Sequence, residues 1–480
     1  MVIVKRTYLN KGNIFIFLTI VGFFVAYLIL SIVKHNHYLS GFDLAVVSQY
    51  TWLYSGFKAA ISTTNNYPFT PSFYDHLEFI YIFLSPFYWL FSDARALIAL
   101  QALFISLSAL PLVLFMKKYK INTYVLWAIL ISYLSFYGIQ NAIWDDVHSL
   151  VFATTFLAFF IYFLDKGSRW ATVLFFFLAI TTKEDIAILT FLISLSHFIF
   201  TRKKFNLLLM FFSFAYFYAA FFLWFANLPI KENVGQSGLL SNLNLYGFID
   251  NNDKRSVIAY SLGWFGFLPL LTPTFLLPAL GDLSHYFLLG ELMVKAQTIF
   301  MHYRVTLAIL LVYPVIMAVA KYKFLNRKYF AIYILFFALF LTYLSHSPLT
   351  YLTKQWFWSK PSGVDNINQL LKYLPKNAAV VSQNNITPHI SERSSVFTFW
   401  PETKTFPQNS PCRKLTCNWF RWAGSPEYLI VDTSPQWNIL NLLTTRENYL
   451  DGLNNLKKAG IIKESKQFGT ATLYKIIKKP

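Results

Sequence analysis

The sequence predicts a mainly α-helical, polytopic membrane protein of about eleven transmembrane helices, followed by a small extracytoplasmic α/β domain. Three observations carry this. The 480 residues are 56% hydrophobic and 13% charged, about half the soluble norm of roughly 25% charged. Apolar runs near the ~20 residues needed to cross a bilayer recur along the first three quarters of the chain. Residues 346–480 then return to soluble proportions.

The runs fall at 13–33, 96–116, 123–140, 149–164, 170–182, 185–200, 206–226, 256–272, 274–290, 303–320 and 329–345, the Pro-rich pair at 256–290 being the least regular. The first is longer than a signal-peptide core and no A-x-A-like site follows it, so it is expected to stay as the first transmembrane helix. The formal charge of +19 sits in short loops: Lys5, Arg6 and Lys11; Lys117, Lys118 and Lys120; Lys166 and Arg169; Arg202, Lys203 and Lys204; Lys321, Lys323, Arg327 and Lys328. That is the positive-inside pattern, which makes these loops and the N-terminus cytoplasmic. No basic patch is interleaved with a soluble fold, so nucleic acid is excluded as a partner.

Both flanks of 170–200 are basic and therefore cytoplasmic, which places the intervening TTKED at an external turn. The arm 171–182 is about 12 residues, or roughly 18 Å of helix, against a hydrocarbon core of roughly 30 Å. A charged tip below the membrane surface has to face a protein-lined cavity, because lipid cannot satisfy Lys183, Glu184 and Asp185. The plainer reading is an interfacial turn in which Lys183 and Asp185 pair with each other.

By the same parity loop 34–95 is external. It contains GFDLAVVSQYTW (41–52) with Asp43, and PSFYDHLEFIYIFLSPFYWLF (71–91) with Asp75 and His76; the second reads as a helix lying in the interface. Loop 141–148, NAIWDDVH, supplies Asp145, Asp146 and His148, and His302, Tyr303 and Arg304 open the crossing at 303–320. Asp43 reads equally as a helix cap, and Asp75 with His76 as a solvated pair. DDxH has ligand types suited to a divalent metal, but three residues in one short loop are an incomplete shell, so no metal or other cofactor is expected. His197 and His285, without acidic neighbours in sequence, read as structural. No P-loop, GxSxG, HExxH or GxGxxG stretch occurs.

The organisation expected is a transmembrane domain over 1–345 with the large external loop 34–95, and an external α/β domain over 346–480. In the latter, AAVVSQ (378–383) and EYLIVDT (427–433) read as buried strands, 446–460 as an amphipathic helix ending at a glycine, and ATLYKIIKK as a closing strand. Cys412 and Cys417 lie there, outside the cytoplasm, where a disulfide is permitted though not fixed by spacing.

GFDLAVVSQYTW, YDHLEFIYIFLSPFYWLF with ALQALFISLSALPLVLF, DDVH, TKED, LPLLTP, HYRV and PKNAAVVSQNNITPHISER, in this order, resemble the DUF2079 family of prokaryotic membrane proteins. One departure is Val147, where the family commonly has an aromatic. The family is similar in turn to the GT-C glycosyltransferases. The resemblance implies a multi-pass cell-membrane enzyme of GT-C-like fold. It would move a hexosyl or pentosyl group, with inversion, from a polyprenyl-phosphate donor to a lipid, glycan or protein acceptor outside the cytoplasm. That chemistry needs a carboxylate to take the acceptor's proton and cations to hold the departing phosphate. Asp43, in the first external loop, is then the expected base. Lys183, Arg304 and His302 are the expected phosphate partners. Asp75, His76, Asp146, His148 and Tyr303 would bind sugar or acceptor, with Glu184, Asp185 and Asp145 supporting them. A transporter or flippase of lipid-linked sugars would also place charges around a cavity, but no clear internal repeat is visible. A non-enzymatic scaffold would need none of these clusters.

Overall fold

The computed structural model describes residues 11–64, 69–228, 245–288, 296–405 and 416–478. Packing divides the chain into two units, Met1–Leu30 with Leu100–Leu352, and Ser31–Ala99 with Thr353–Pro480. The sequence drew one boundary at residue 345 and kept 34–95 with the helices; by packing, that loop shares a core with the C-terminal segment.

Among the described residues six helices are long and apolar enough to cross a membrane: Gly12–Asn36, Ala94–Lys118, Thr123–Trp144, Ser149–Lys166, Phe205–Asn227 and His302–Lys321. Ile80–Leu90, Arg169–Ile180, Ile186–Thr201 and Lys328–Leu344 are apolar but shorter. The Pro-rich stretch expected to cross twice is broken. It forms a helix Asn252–Gly263, a 3₁₀ turn Leu268–Leu271 and a helix Pro273–Phe287. Pro269 and Pro273 explain this, since each lacks an N–H and is tolerated only in a first helical turn.

At the centre of the first unit lies the helix Val305–Lys321, with every residue from Val305 to Val319 buried. A helix apolar all round belongs in such a place. By contrast Phe205–Tyr218 exposes Leu208, Phe211 and Phe214, the surface a lipid-facing helix presents. Lipid is as apolar as leucine, so the helices are held by close packing and interhelical hydrogen bonds rather than by apolar burial. Trp264 Nε1 donates to Ser132 O at 3.0 Å, Thr272 Oγ1 to Pro314 O at 2.8 Å, and Thr190 and Ser213 share a hydroxyl bond at 2.9 Å.

The second unit is built on a five-stranded sheet in the order Val396–Thr398, Val380–Ser382, Tyr428–Asp432, Ala471–Ile476, Ile462–Phe468. The first three run parallel; Ala471–Ile476 runs antiparallel to both of its neighbours, so Ile462–Phe468 has the direction of the first three. The parallel strands are buried almost throughout, as strands covered on both faces must be. The edge strand Ile462–Phe468 carries exposed Lys463, Glu464 and Lys466, charges that discourage edge-to-edge pairing. The strands expected at 378–383 and 427–433 are present, and the expected helix is Arg446–Lys458 with Gly460 just beyond it at φ +67°. The expected closing strand pairs with a neighbour the sequence reading left out. Cys412 lies outside the described residues; Cys417 is buried on the strand Thr416–Arg421.

The N-terminal segment of this unit is tied to the sheet by specific bonds. Tyr38 Oη donates to Asn368 Oδ1 at 2.7 Å, Phe42 N to Asn384 Oδ1 at 2.8 Å, and Thr63 Oγ1 to Val396 O at 2.6 Å. These fix the helix Phe42–Ser55, whose first turn carries Asp43.

Candidate functional site

In the first unit the helix Tyr137–Trp144 ends at Asp145, and His148 leads in extended conformation into the helix Ser149–Lys166. The short link between them is pinned by Gln101. Its Nε2 donates to Asp146 O at 3.3 Å and its Oε1 accepts from His148 N at 3.0 Å. Asn141 Nδ2 donates to Ile299 O at 2.7 Å, bringing the turn His302–Arg304 alongside. The approach is very close at Gly138, where a Cβ would stand 2.6 Å from the carbonyl carbon of Arg304. Only glycine permits that backbone contact.

The result is a cluster of three side chains. His302 Nδ1 hydrogen-bonds Asp145 Oδ2 at 2.7 Å, and His148 Nε2 lies 3.5 Å from the same oxygen. The two imidazoles stack with centroids 3.4 Å apart and planes within 15°. Burial by itself would raise the Asp145 pKa; the hydrogen bonds and charges of His148 and His302 outweigh it and hold the carboxyl well below the usual carboxylate range. All three donor atoms lie within 4.8 Å of one another. The shell that looked incomplete in the DDVH loop thus gains a second imidazole, from 157 residues away.

The tip between helices Arg169–Ile180 and Ile186–Thr201 buries Lys183, Glu184 and Asp185. Lys183 Nζ and Asp185 Oδ2 are 3.5 Å apart, and His285 Nε2 is 3.6 Å from the same oxygen. The Lys183–Asp185 pair of the plainer reading forms, and all three charged residues of the tip are buried within the protein. His285, read as structural, is corrected: it has an acidic neighbour that sequence distance concealed. His197 does pack structurally, its Nδ1 3.2 Å from Asn206 Oδ1.

Asp185 and His285 line a crevice with Asp282, Tyr286 and Thr306. Asp282 was missed by the sequence reading. Its Oδ1 accepts from Thr306 Oγ1 at 2.8 Å and its Oδ2 is 3.8 Å from Arg304 Nη1. The available signal was an ionisable residue inside an apolar run, which is a functional candidate by default. Arg304 is wholly buried. Its guanidinium lies 4.4 Å from the Tyr286 ring centre, and Nη2 donates to Ala296 O. Asp146 is buried beside Asp145, Glu184 is buried in the tip, and Tyr303 packs its ring 4.1 Å from that of His302.

Asp43, Asp75 and His76 belong to the second unit. Asp43 is exposed in the first turn of its helix, Asp75 is exposed at the end of the 3₁₀ turn Ser72–Tyr74, and His76 is half-buried. On the same helix as Asp43, Ser48 Oγ donates to Glu392 Oε1 at 2.6 Å and shares a bond with Tyr88 Oη at 2.9 Å. Burial pushes the Glu392 carboxyl up to about 7, against the lowering effect of the Ser48 bond. Glu392 was also missed in the sequence, where nothing beside it marks it out.

Residues 34–449 match the family described as "Predicted membrane protein (DUF2079)". The chain belongs to the DUF2079 family. No curated protein matches it. Among solved structures, this DUF2079 protein is similar to ArnT from Cupriavidus metallidurans bound to undecaprenyl phosphate. The TM-score is 0.57 and the identity 11%, over 97% of this chain and 98% of that one. The DUF2079 chain therefore has a GT-C-like fold and is a membrane protein.

Proposed function

We propose that the protein is a membrane glycosyltransferase that takes a sugar from a polyprenyl-phosphate donor and gives it to an acceptor outside the cytoplasm. The observation that carries this reading is the full-length fold likeness to ArnT, a protein solved with a polyprenyl phosphate, together with a buried cation cluster in a chain of that fold. The acceptor hydroxyl oxygen attacks the anomeric carbon, the bond from that carbon to the phosphate oxygen breaks with inversion, and the phosphate leaves with the electron pair. Asp43 takes the hydroxyl proton. Lys183 and His302 bear on the leaving phosphate; Arg304, expected from the sequence as a third phosphate partner, is wholly buried against Asp282 and Tyr286 and is assigned instead to holding the turn that presents His302. In the first unit, Asp146, His148 and Tyr303 are the proposed contacts for sugar or acceptor hydroxyls; Asp75 and His76 are the second unit's own candidates for such contacts. The basic loops orient the chain with its first helix entering from the cytoplasm, and the shorter apolar helices add further crossings.

Native mass spectrometry of the detergent-extracted protein tests the donor. A copurified polyprenyl-phosphate sugar supports the reading, and its transfer to an added acceptor in vitro completes it. Movement of such a lipid across vesicles without any transfer would replace the enzyme with a transporter.

A further inference from the structure

We propose that Asp145 Oδ2, His148 Nε2 and His302 Nδ1 form a binding site for one divalent transition-metal ion of the zinc class, with a fourth coordination position left open. One carboxylate and two imidazoles are the nitrogen and oxygen donors such ions take, and three protein ligands leave a fourth position free for an exogenous oxygen.

The spacing suits the ion. Metal–donor bonds of about 2.0–2.2 Å in a tetrahedron put donors about 3.3–3.6 Å apart. His148 Nε2 and Asp145 Oδ2 are already 3.5 Å apart. His302 Nδ1 is 2.7 Å from that oxygen, a hydrogen-bond distance; Nδ1 can ligate a metal in the neutral tautomer that carries its proton on Nε2, and the contact then opens to the donor spacing. The two rings are nearly parallel, so their in-plane lone pairs do not meet. Sharing one ion requires one ring to turn about its terminal torsion, which is soft in histidine.

The frame around the ligands is rigid. Gln101 grips the backbone on both sides of Val147, Asn141 ties in the approach to His302, and Gly138 lets the two segments touch. Such outer contacts are what orient metal ligands. The side chains remain partly open, with exposures of 30% for Asp145, 13% for His148 and 11% for His302, which gives an ion a way in.

The open fourth position gives the ion a second meaning, which rests on the proposed transferase reading: the metal would bear on an oxygen of the donor phosphate.

The test uses the full-length protein with its affinity tag removed, stripped with chelator and titrated with ZnCl2 by calorimetry, with metal content read by elemental mass spectrometry. About one zinc per chain is expected, and His302→Gln and Asp145→Asn should each weaken binding at least tenfold, a floor set by the ~10–100-fold that outer contacts alone contribute. Cobalt substitution should give the intense visible bands of a four-coordinate site, lost in both variants. Gel filtration in detergent confirms that the variants fold. A monodisperse wild type that takes up no zinc overturns the site, as does uptake equal in wild type and both variants. Transfer is assayed separately. Zinc binding with transfer indifferent to chelator keeps the site and overturns its phosphate role; zinc binding with no transfer from any polyprenyl donor keeps the site and removes the transferase reading.

Discussion

Replacing Gly138 with alanine tests how the site is positioned. A Cβ there would lie 2.6 Å from the carbonyl carbon of Arg304, whereas carbon contacts settle near 3.5–4.0 Å, so the turn His302–Arg304 has to move by about 1 Å. The obstructing atoms are backbone and cannot swing aside as a side chain would. Overpacking of this kind typically costs about 1–3 kcal/mol, and a displacement of about 1 Å at a reacting centre reduces rate by about 10²-fold. Gly138→Ala should therefore lower the midpoint of a reversible SDS titration in mixed micelles and reduce transfer by about two orders of magnitude. Gly22→Ala is the control, because a Cβ at Gly22 meets nothing within 4 Å; a helical glycine-to-alanine change in open space should leave stability unchanged or slightly raised. Gly138→Ala with wild-type midpoint and wild-type turnover would show that helix Tyr137–Trp144 does not position His302 in this way.

Three further changes separate the roles proposed for other residues. Asp43→Asn keeps shape and hydrogen bonding but cannot accept a proton, so it should lower transfer by ~10²–10⁴-fold while donor-lipid binding persists; turnover within a few-fold of wild type would move the base to Asp146 or Asp75. Lys183→Ala removes a buried cation that pairs with Asp185 at 3.5 Å, so it should weaken donor binding as well as turnover, and unchanged donor affinity in a lipid-binding assay would count against its phosphate role. Glu392 has its pKa raised by burial from 4.5 to about 7, so the folded state holds its proton more tightly than the unfolded chain. Its contribution to stability is full below about 4.5 and is lost as pH rises through about 7. Thermal unfolding of wild type should thus fall between pH 5 and pH 7.5 by more than that of Glu392→Gln, and parallel pH profiles would place the titration elsewhere.

The sequence by itself determined the solvent, the class and many of the charged candidates, because these depend on local quantities. Apolar run length and the distribution of Lys and Arg report on a bilayer directly, and the strands Val380–Ser382 and Tyr428–Asp432 are legible as short apolar runs because they are buried on both faces. Lys183 stood out as a charge in a greasy hairpin, and the helix Arg169–Ile180 has the 12 residues that its shallow reach required. Partnership could not be read in that way. His302 reaches Asp145 across 157 residues and Arg304 meets Asp282 inside the bundle, while His285 acquires a carboxylate that no neighbour in sequence supplies. The segment holding Asp43 joins the C-terminal sheet through Asn384 and Val396, more than 300 residues away. Hydropathy records what each residue prefers as a solvent, but a contact between two residues depends on how the elements pack. That was decided by a glycine that admits a backbone, by a Pro-rich stretch whose two expected spans are cut to the helices Asn252–Gly263 and Pro273–Phe287, and by a central helix apolar on every side around which the others had to pack.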